Sequence, residues 1–395
     1  MNRFFVVTPL DFETATLQEM KDIWPFLLGK DAKPHGLPFP DVQVLEGGLE
    51  FETELVVGVQ LNFFLKTANR VLLRMASFKA RDLPKFYQKF KSLPWLEYLH
   101  SSHVEWKIAA QKSRLNNEKR LQESAQSALQ EIFPSKHSSE ASGSIFIRMD
   151  DDLCTISLDT SGEHLHKRGW TALRGDAPLR ETIASYMLKS LIGANADEIN
   201  AVTLLDPMMG SGTLLVEARA LWSGQFLRPY AFQKWKKAPK LFLSPSFALN
   251  YEIPAQPQFK KYLGFDISGN MVSIASANFA EVEKQLQQTG KKPFQAAANE
   301  FNHVDAIEEA QAPEGSDPLW MILNPPYGER LPVAINGGLP QLASVLCSRY
   351  KPQRIGILYP EKEKISPAPK GYRVLKENRI NNGGLRCLFT VLTRL

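Results

Sequence analysis

Cysteine is scarce in this chain. Only Cys154, Cys347 and Cys387 occur among 395 residues, far apart and without a Cys-x-x-Cys pair. That argues against a disulfide framework and against a cysteine zinc site. Long apolar runs are also missing: no stretch reaches the roughly 18 residues a membrane-spanning helix needs. The N-terminal MNRFFVVTPLDFE holds only a short apolar stretch before Asp11, too short for a secretory leader. No internal repeat is visible, and a P-loop pattern, Gly-x-x-x-x-Gly-Lys-Ser/Thr, is absent. His164 and His166 stand close together, but no third metal ligand accompanies them. These absences point to a cytoplasmic enzyme or binding protein with no metal, no membrane association and no evident obligate protein partner.

What is present is unevenly placed. The net charge is only +5. Between Arg70 and Arg120, however, 12 Lys/Arg stand against 4 Asp/Glu, interleaved with Phe78, Phe86, Tyr87, Phe90, Trp95, Tyr98 and Trp106. Lysines neutralising phosphates and rings stacking on bases would make this an RNA-binding face. The same composition also fits a solvated helix whose aromatics fill a core. Lys112 and Arg114 are the candidate RNA contacts in this stretch.

The length calls for two or three domains. Up to residue 160 the pattern is α+β. Strands are predicted at Arg3–Thr8, Leu49–Phe51, Val56–Val59, Val71–Phe78 and Val104–Ala110, with a hairpin at Ile145–Arg148 and Cys154–Asp159. Helices are predicted at Asp11–Ile23, Leu83–Leu99 with a break at Pro94, and Asn116–Phe133. Groups of about 50 residues suggest small ferredoxin-like modules. From about Ala177 helices and strands alternate, the signature of a doubly wound, mostly parallel α/β sheet. Its strands are predicted at Ala201–Leu205, Tyr262–Phe265, Phe294–Ala298, Trp320–Leu323 and Arg354–Tyr359. Tyr372–Lys376 and Arg386–Leu392, around Asn381–Gly384, close the chain as an antiparallel hairpin.

Four places carry chemistry. In LLDPMMGSGTLLVEA (Leu204–Ala218) a strand ends at Asp206, Gly210-Ser211-Gly212 form a turn, and a helix starts near Thr213. Glycines let a ligand approach the backbone, and ligands of open α/β sheets sit at the carboxyl ends of strands. In YLGFDIS, Asp266 ends the second strand, where an acidic residue accepts ribose hydroxyls. The intervening segment, with QFLRPYAFQKWKK, is basic and aromatic and suits an RNA-facing insertion. Asp305 follows the third strand and can accept an adenine amino group. In ILNPPYGERL the prolines stop a buried strand. The Asn324 amide oxygen and a proline-fixed carbonyl can then accept both hydrogens of a planar –NH2 while Tyr327 stacks on the base, so positioning supplies much of the rate.

Together these places resemble the class I S-adenosylmethionine-dependent methyltransferases, of the kind that modifies amino or amide nitrogen. That tip alone leaves adenine N6, guanine N2, cytosine N4 and glutamine N5 open. The stretch SGEHLHKRGWTALRGDAPLRETIA, with DPMMGSGTLLVEA and NPPYGERL, narrows the resemblance to the THUMP-containing RNA guanine-N2 methyltransferases, especially those of bacterial large-subunit (23S) rRNA. It implies S-adenosylmethionine as donor and S-adenosylhomocysteine as product. Asp206, Pro207, Met208, Gly210, Ser211, Gly212 and Thr213 would line the methionine end. Asp266 with Ile267 would hold the ribose, and Asp305 with Ala306 the adenine. Asn324, Pro325, Pro326 and Tyr327 would hold the target guanine. Lys167, Arg168 and Arg330 would meet RNA backbone.

The implied domains are a ferredoxin-like α+β subdomain over 1–75, a THUMP RNA-binding domain over 76–160, a linker over 161–176 and a Rossmann-like catalytic domain over 177–395. Met209 stands where the family often has cysteine, and Thr8-Pro9-Leu10 lacks the family's glycine after that proline. The end of the chain after the hairpin implies a single activity. Three alternatives stay open: the same chemistry on tRNA, glutamine methylation of a protein, and a non-catalytic RNA assembly factor.

Overall fold

The computed structural model describes residues 1–134, 139–170, 179–194, 196–244, 247–251, 257–289, 296–313, 315, 317–326, 338–363 and 368–395. The chain forms two compact units. The first takes Met1–Pro9, Glu13–Leu165 and Gln225–Ala248; the second takes Leu10–Phe12, His166–Gly224 and Leu249–Leu395.

The first unit holds β1 (Asn2–Val7), α1 (Glu13–Ile23), β2 (Gln43–Leu45), β3 (Gly48–Thr53), α2 (Leu55–Phe64), β4 (Arg70–Lys79), α3 (Leu83–Lys91), α4 (Trp95–Tyr98), β5 (Glu105–Gln111), α5 (Glu118–Ile132), β6 (Ser144–Asp150) and β7 (Leu153–Asp159). Its seven strands form one sheet in the order β2-β3-β1-β4-β7-β6-β5. Alternation sets its faces: Phe4 and Val6 of β1 are fully buried, while Arg3 between them and the strand's start is exposed. Helix starts follow their caps. Asp82 accepts the Lys85 N–H at 2.8 Å, and Asn117 accepts the Arg120 N–H at 3.0 Å. Pro94 is the residue before α4, as the predicted break requires.

Two expectations change here, and one choice left open by the sequence is decided. The boundary expected at residue 75 falls inside β4, which pairs with β1 on one side and β7 on the other, so one sheet runs through both expected modules. Val56–Val59 lies within α2, not a strand. That helix is buried on nearly every side, so its apolar run shows no helical period. The rings of Phe86, Phe90, Trp95 and Tyr98 are core, with Phe90 and Trp95 centroids 4.8 Å apart.

The aromatic insertion is also core. Phe232, Phe242 and Phe247, beyond residue 225, surround Phe63 of α2 at centroid distances of 5.9, 5.5 and 5.5 Å, and Tyr230 stands 5.0 Å away. Backbone bonds from Gln225 to Phe63, Phe232 to Thr160 and Lys236 to Tyr98 stitch it in. Its lysines stay exposed and its rings do not.

The second unit holds α6 (Glu181–Ile192), β8 (Thr203–Asp206), α7 (Thr213–Arg219), β9 (Lys261–Asp266), α9 (Gly269–Gln287), β10 (Ala298–His303), β11 (Leu319–Leu323), α10 (Gly338–Tyr350), β12 (Arg354–Pro360), β13 (Tyr372–Asn382) and β14 (Leu385–Arg394); the chain passes from the first unit to the second within the short α8 (Phe247–Asn250). The third strand begins at Ala298, where its predicted segment ended. The sheet order is β10-β9-β8-β11-β12-β14-β13. The first five strands are parallel, and β14 joins β12 antiparallel. Ile355 and Ile357 of β12 share a core with Leu342 and Leu346 of α10. Gly356 between them faces Leu191 of α6, so helices cover both faces. This is the α/β class expected, with its antiparallel closing hairpin.

Candidate active site

The strand order reverses between β8 and β11, and ligands of open α/β sheets bind at such a switch point. The sheet therefore sets the chemistry-bearing residues side by side at one edge. Asp206 ends β8, Asp266 ends β9, Asp305 follows β10 and Asn324 follows β11.

Around Asp206 the backbone turns tightly. Asp206 Oδ1 accepts the Met208 N–H at 3.1 Å, and Asp266 Oδ2 accepts the Gly210 N–H at 2.9 Å. The Met209 N–H donates to the Phe265 carbonyl at 3.0 Å, and the Asn278 amide of α9 donates to the Ser211 carbonyl at 3.0 Å. Gly212 has φ of 79°, and a Cβ there would stand 2.9 Å from the Ala275 Cβ. Both facts demand glycine. A Cβ at Gly264 would meet the Met209 sulfur at 2.2 Å, which makes Met209 a packing residue.

Asp206 is buried, and this burial, with the nearby Asp266 charge, pushes its carboxyl up to about 8 against the lowering effect of the Met208 N–H. Asp266 is half-buried, and its other oxygen accepts the Ser268 N–H at 2.8 Å. Beside it the apolar side chain of Ile267 is 72% exposed. The His303 ring, at the end of β10, lies 2.9 Å from the Ile267 carbonyl and steadies that turn. Asp305 Oδ1 accepts the Ile307 and Glu308 N–H groups at 2.7 and 3.0 Å. The Ala306 carbonyl accepts the Tyr350 hydroxyl at 2.6 Å.

At β11, Pro325 is buried while Asn324 and Pro326 are half-buried. Asn324 Oδ1 is shielded from solvent and has no donor among the described residues. A buried acceptor without a donor costs on the order of 1–3 kcal/mol. Tyr327 and Arg330 lie outside the described residues.

The RNA-contact expectations divide. Lys167 is exposed. Arg168 is not: its side chain and that of Glu217 are both 0% exposed and paired at 3.3 Å, so it offers no surface to a phosphate. This corrects the expected role of Arg168. Lys112 and Arg114 are exposed in the first unit. There the Arg114 N–H and the Arg81 guanidinium both donate to Asp152, at 2.8 and 2.7 Å, gathering cations around the β6–β7 turn. Glu217, Asn278 and His303 carried no sequence expectation of a role. Their partners are distant in sequence, and only the position of Glu217 within the glycine motif hinted at one.

The crossover order of the sheet, the glycine turn and the acidic strand ends define a methyltransferase fold, and comparison with known proteins agrees. A candidate methylase from Clostridium difficile 630 superposes with a TM-score of 0.74 at 21% identity, over 100% of this chain and 98% of its own. SMU.472, a methyltransferase candidate solved with SAH, gives 0.71 at 22% identity, over 100% and 98%. Residues 168–353 match the family model of the RMKL-like methyltransferase domain. The chain is similar to the proteins named ribosomal RNA large subunit methyltransferase K/L. It is 30% identical over 323 residues to the one from Psychromonas ingrahamii, covering 77% of this chain and 40% of that protein. The chain spans about half the length of the curated relatives it matches.

Proposed function

We propose that this chain transfers a methyl group from S-adenosylmethionine to the exocyclic N2 of a guanosine in large-subunit ribosomal RNA. The observation that carries this reading is the buried Oδ1 of Asn324, which has no donor among the described residues, at the switch point of the sheet. An amino group with two hydrogens supplies the missing donor.

The residues present fit the cofactor. Asp266 offers a half-buried carboxylate for hydroxyl groups, the exposed Ile267 offers apolar cover for a flat base, and Gly210 leaves open space beside the backbone where a Cβ would stand. Asp206 and Asp305 complete the set. The cofactor supplies an electrophilic methyl group when bound. The chain's own task is to hold the nucleophile. Asn324 Oδ1 and the Pro325 carbonyl accept the two amino hydrogens and orient the nitrogen lone pair, and the amino group loses one proton to solvent as its new bond forms. Guanine N2 is otherwise occupied by pairing, so the target must be unpaired or turned out of its stack.

RNA as substrate is supported by the similarity to proteins named ribosomal RNA methyltransferases and by the exposed Lys112 and Arg114 beside Arg81 in the first unit. Those cations suit phosphate, and Lys167 adds a contact of the same kind. We assign the first unit the RNA-holding role and place the reaction in the cytoplasm.

The test is incubation of the purified chain with labelled S-adenosylmethionine and, separately, ribosomal RNA, tRNA and a glutamine-bearing protein, followed by nucleoside and peptide mass spectrometry. N2-methylguanosine from ribosomal RNA is expected. Label in adenine, in tRNA alone or in glutamine would overturn the assignment.

A further inference from the structure

We infer that Arg168, acting through Glu217, is a positioning residue for the cofactor loop. The inference rests on the reading of Gly210–Thr213 as the methyl-donor site and assigns what holds that loop in place.

Four bonds from three residues on two chain segments converge on the Glu217 carboxylate. Arg168 Nε reaches Oε1 and Nη2 reaches Oε2, both at 3.3 Å. Trp170 Nε1 donates to Oε1 at 3.3 Å, and Ser185 Oγ of α6 donates to Oε2 at 2.6 Å. Arg168 Nη2 also lies 3.4 Å from Ser185 Oγ. All four residues are buried.

A buried ion pair of this kind is a poor source of stability, because removing both charges from water offsets much of their attraction. Its distinctive property is geometry. The guanidinium fork matches a carboxylate edge to edge and fixes direction as well as distance. Here the fixed object is α7, a helix of seven residues that begins where the glycine turn ends. So short a helix has little internal rigidity, and side chains must set its position. On its other side Arg219 pairs with Glu283 of α9. Glu217 and Thr213 are one turn apart on the same face. A shift of the Glu217 end therefore moves Thr213 and the turn before it. Arg168 belongs to the HKRG segment that enters the second unit just after Leu165. The segment's basic character thus has a use inside the protein as well as at its surface.

The test uses the full chain with S-adenosylhomocysteine as probe. Arg168→Lys keeps the charge and loses the fork. Its S-adenosylhomocysteine dissociation constant should rise about tenfold, and amide exchange across Gly210–Thr213 should quicken without ligand. Arg168→Met with Glu217→Leu replaces the pair by apolar groups and keeps the melting temperature near wild type. Its cofactor affinity should stay lowered all the same. Ser185→Ala, the mildest change, should give a rise of about threefold. RNA affinity should be unaffected throughout. Wild-type affinity and exchange in Arg168→Lys and Ser185→Ala would overturn the positioning role. Failure of the unaltered chain to bind S-adenosylhomocysteine would instead overturn the cofactor reading beneath it.

Discussion

The Asp266 carboxylate accepts the Gly210 amide hydrogen at 2.9 Å, joining the end of β9 to the glycine turn that follows β8. One side chain thus holds the loop in shape at the position proposed above for the ribose. Asp266→Ala removes both interactions. A hydrogen bond to a charged group contributes about 1.5–3 kcal/mol, so S-adenosylhomocysteine affinity should fall about tenfold to a hundredfold, as read by calorimetry. Asp266→Asn should recover part of it.

If Asp206 lines the methyl-donor site as proposed, cofactor binding should depend on pH. Its carboxyl is pushed up to about 8 in the folded chain, against about 3.9 when unfolded. Between those values the native state binds more protons than the unfolded state. Stability without ligand therefore falls as pH rises from about 4 towards 8. A ligand ammonium near Asp206 favours the ionised carboxylate. S-adenosylhomocysteine affinity should then rise with pH to about 8 and level off. Asp206→Asn should flatten both dependences; titrations in buffers of different ionisation heat would read the proton released on binding.

Gly212→Ala should damage the site without unfolding the chain. The residue sits at φ of 79° with Ala275 2.9 Å from the new Cβ. Strain of about 1–3 kcal/mol is expected. A small drop in melting temperature should accompany a larger loss of cofactor affinity, because the turn must move to relieve the clash.

Phe63→Ala tests the aromatic segment as core. Phe63 is 2% exposed and touches the rings of Tyr230 and Phe242 in the segment that follows Gln225. Such a deletion costs about 3–5 kcal/mol. Melting should fall steeply, and proteolysis should reach the segment following Gln225 first.

These cases also show what could be read from sequence. The DPMMGSGT turn, the acidic end of β9 and the proline stop after Asn324 were legible because each depends on neighbours in the chain: glycine at a turn, proline after a strand. The α/β order was legible for the same reason. Arg168 was misread because charge is visible in sequence and its partner Glu217, 49 residues away, is not. The aromatics near Phe232 were misread because a ring that stacks on a base and a ring that fills a core have the same composition. Val56–Val59 was misread because a helix buried on nearly all sides shows no period.

The most direct test of the central claim compares the unaltered chain with Asn324→Ala on ribosomal RNA, measuring N2-methylguanosine by mass spectrometry and S-adenosylhomocysteine binding by calorimetry. The account predicts N2-methylguanosine from the unaltered chain alone, with cofactor binding equal in both. Normal N2-methylguanosine formation by Asn324→Ala, or a modified base other than guanine from the unaltered chain, would contradict it.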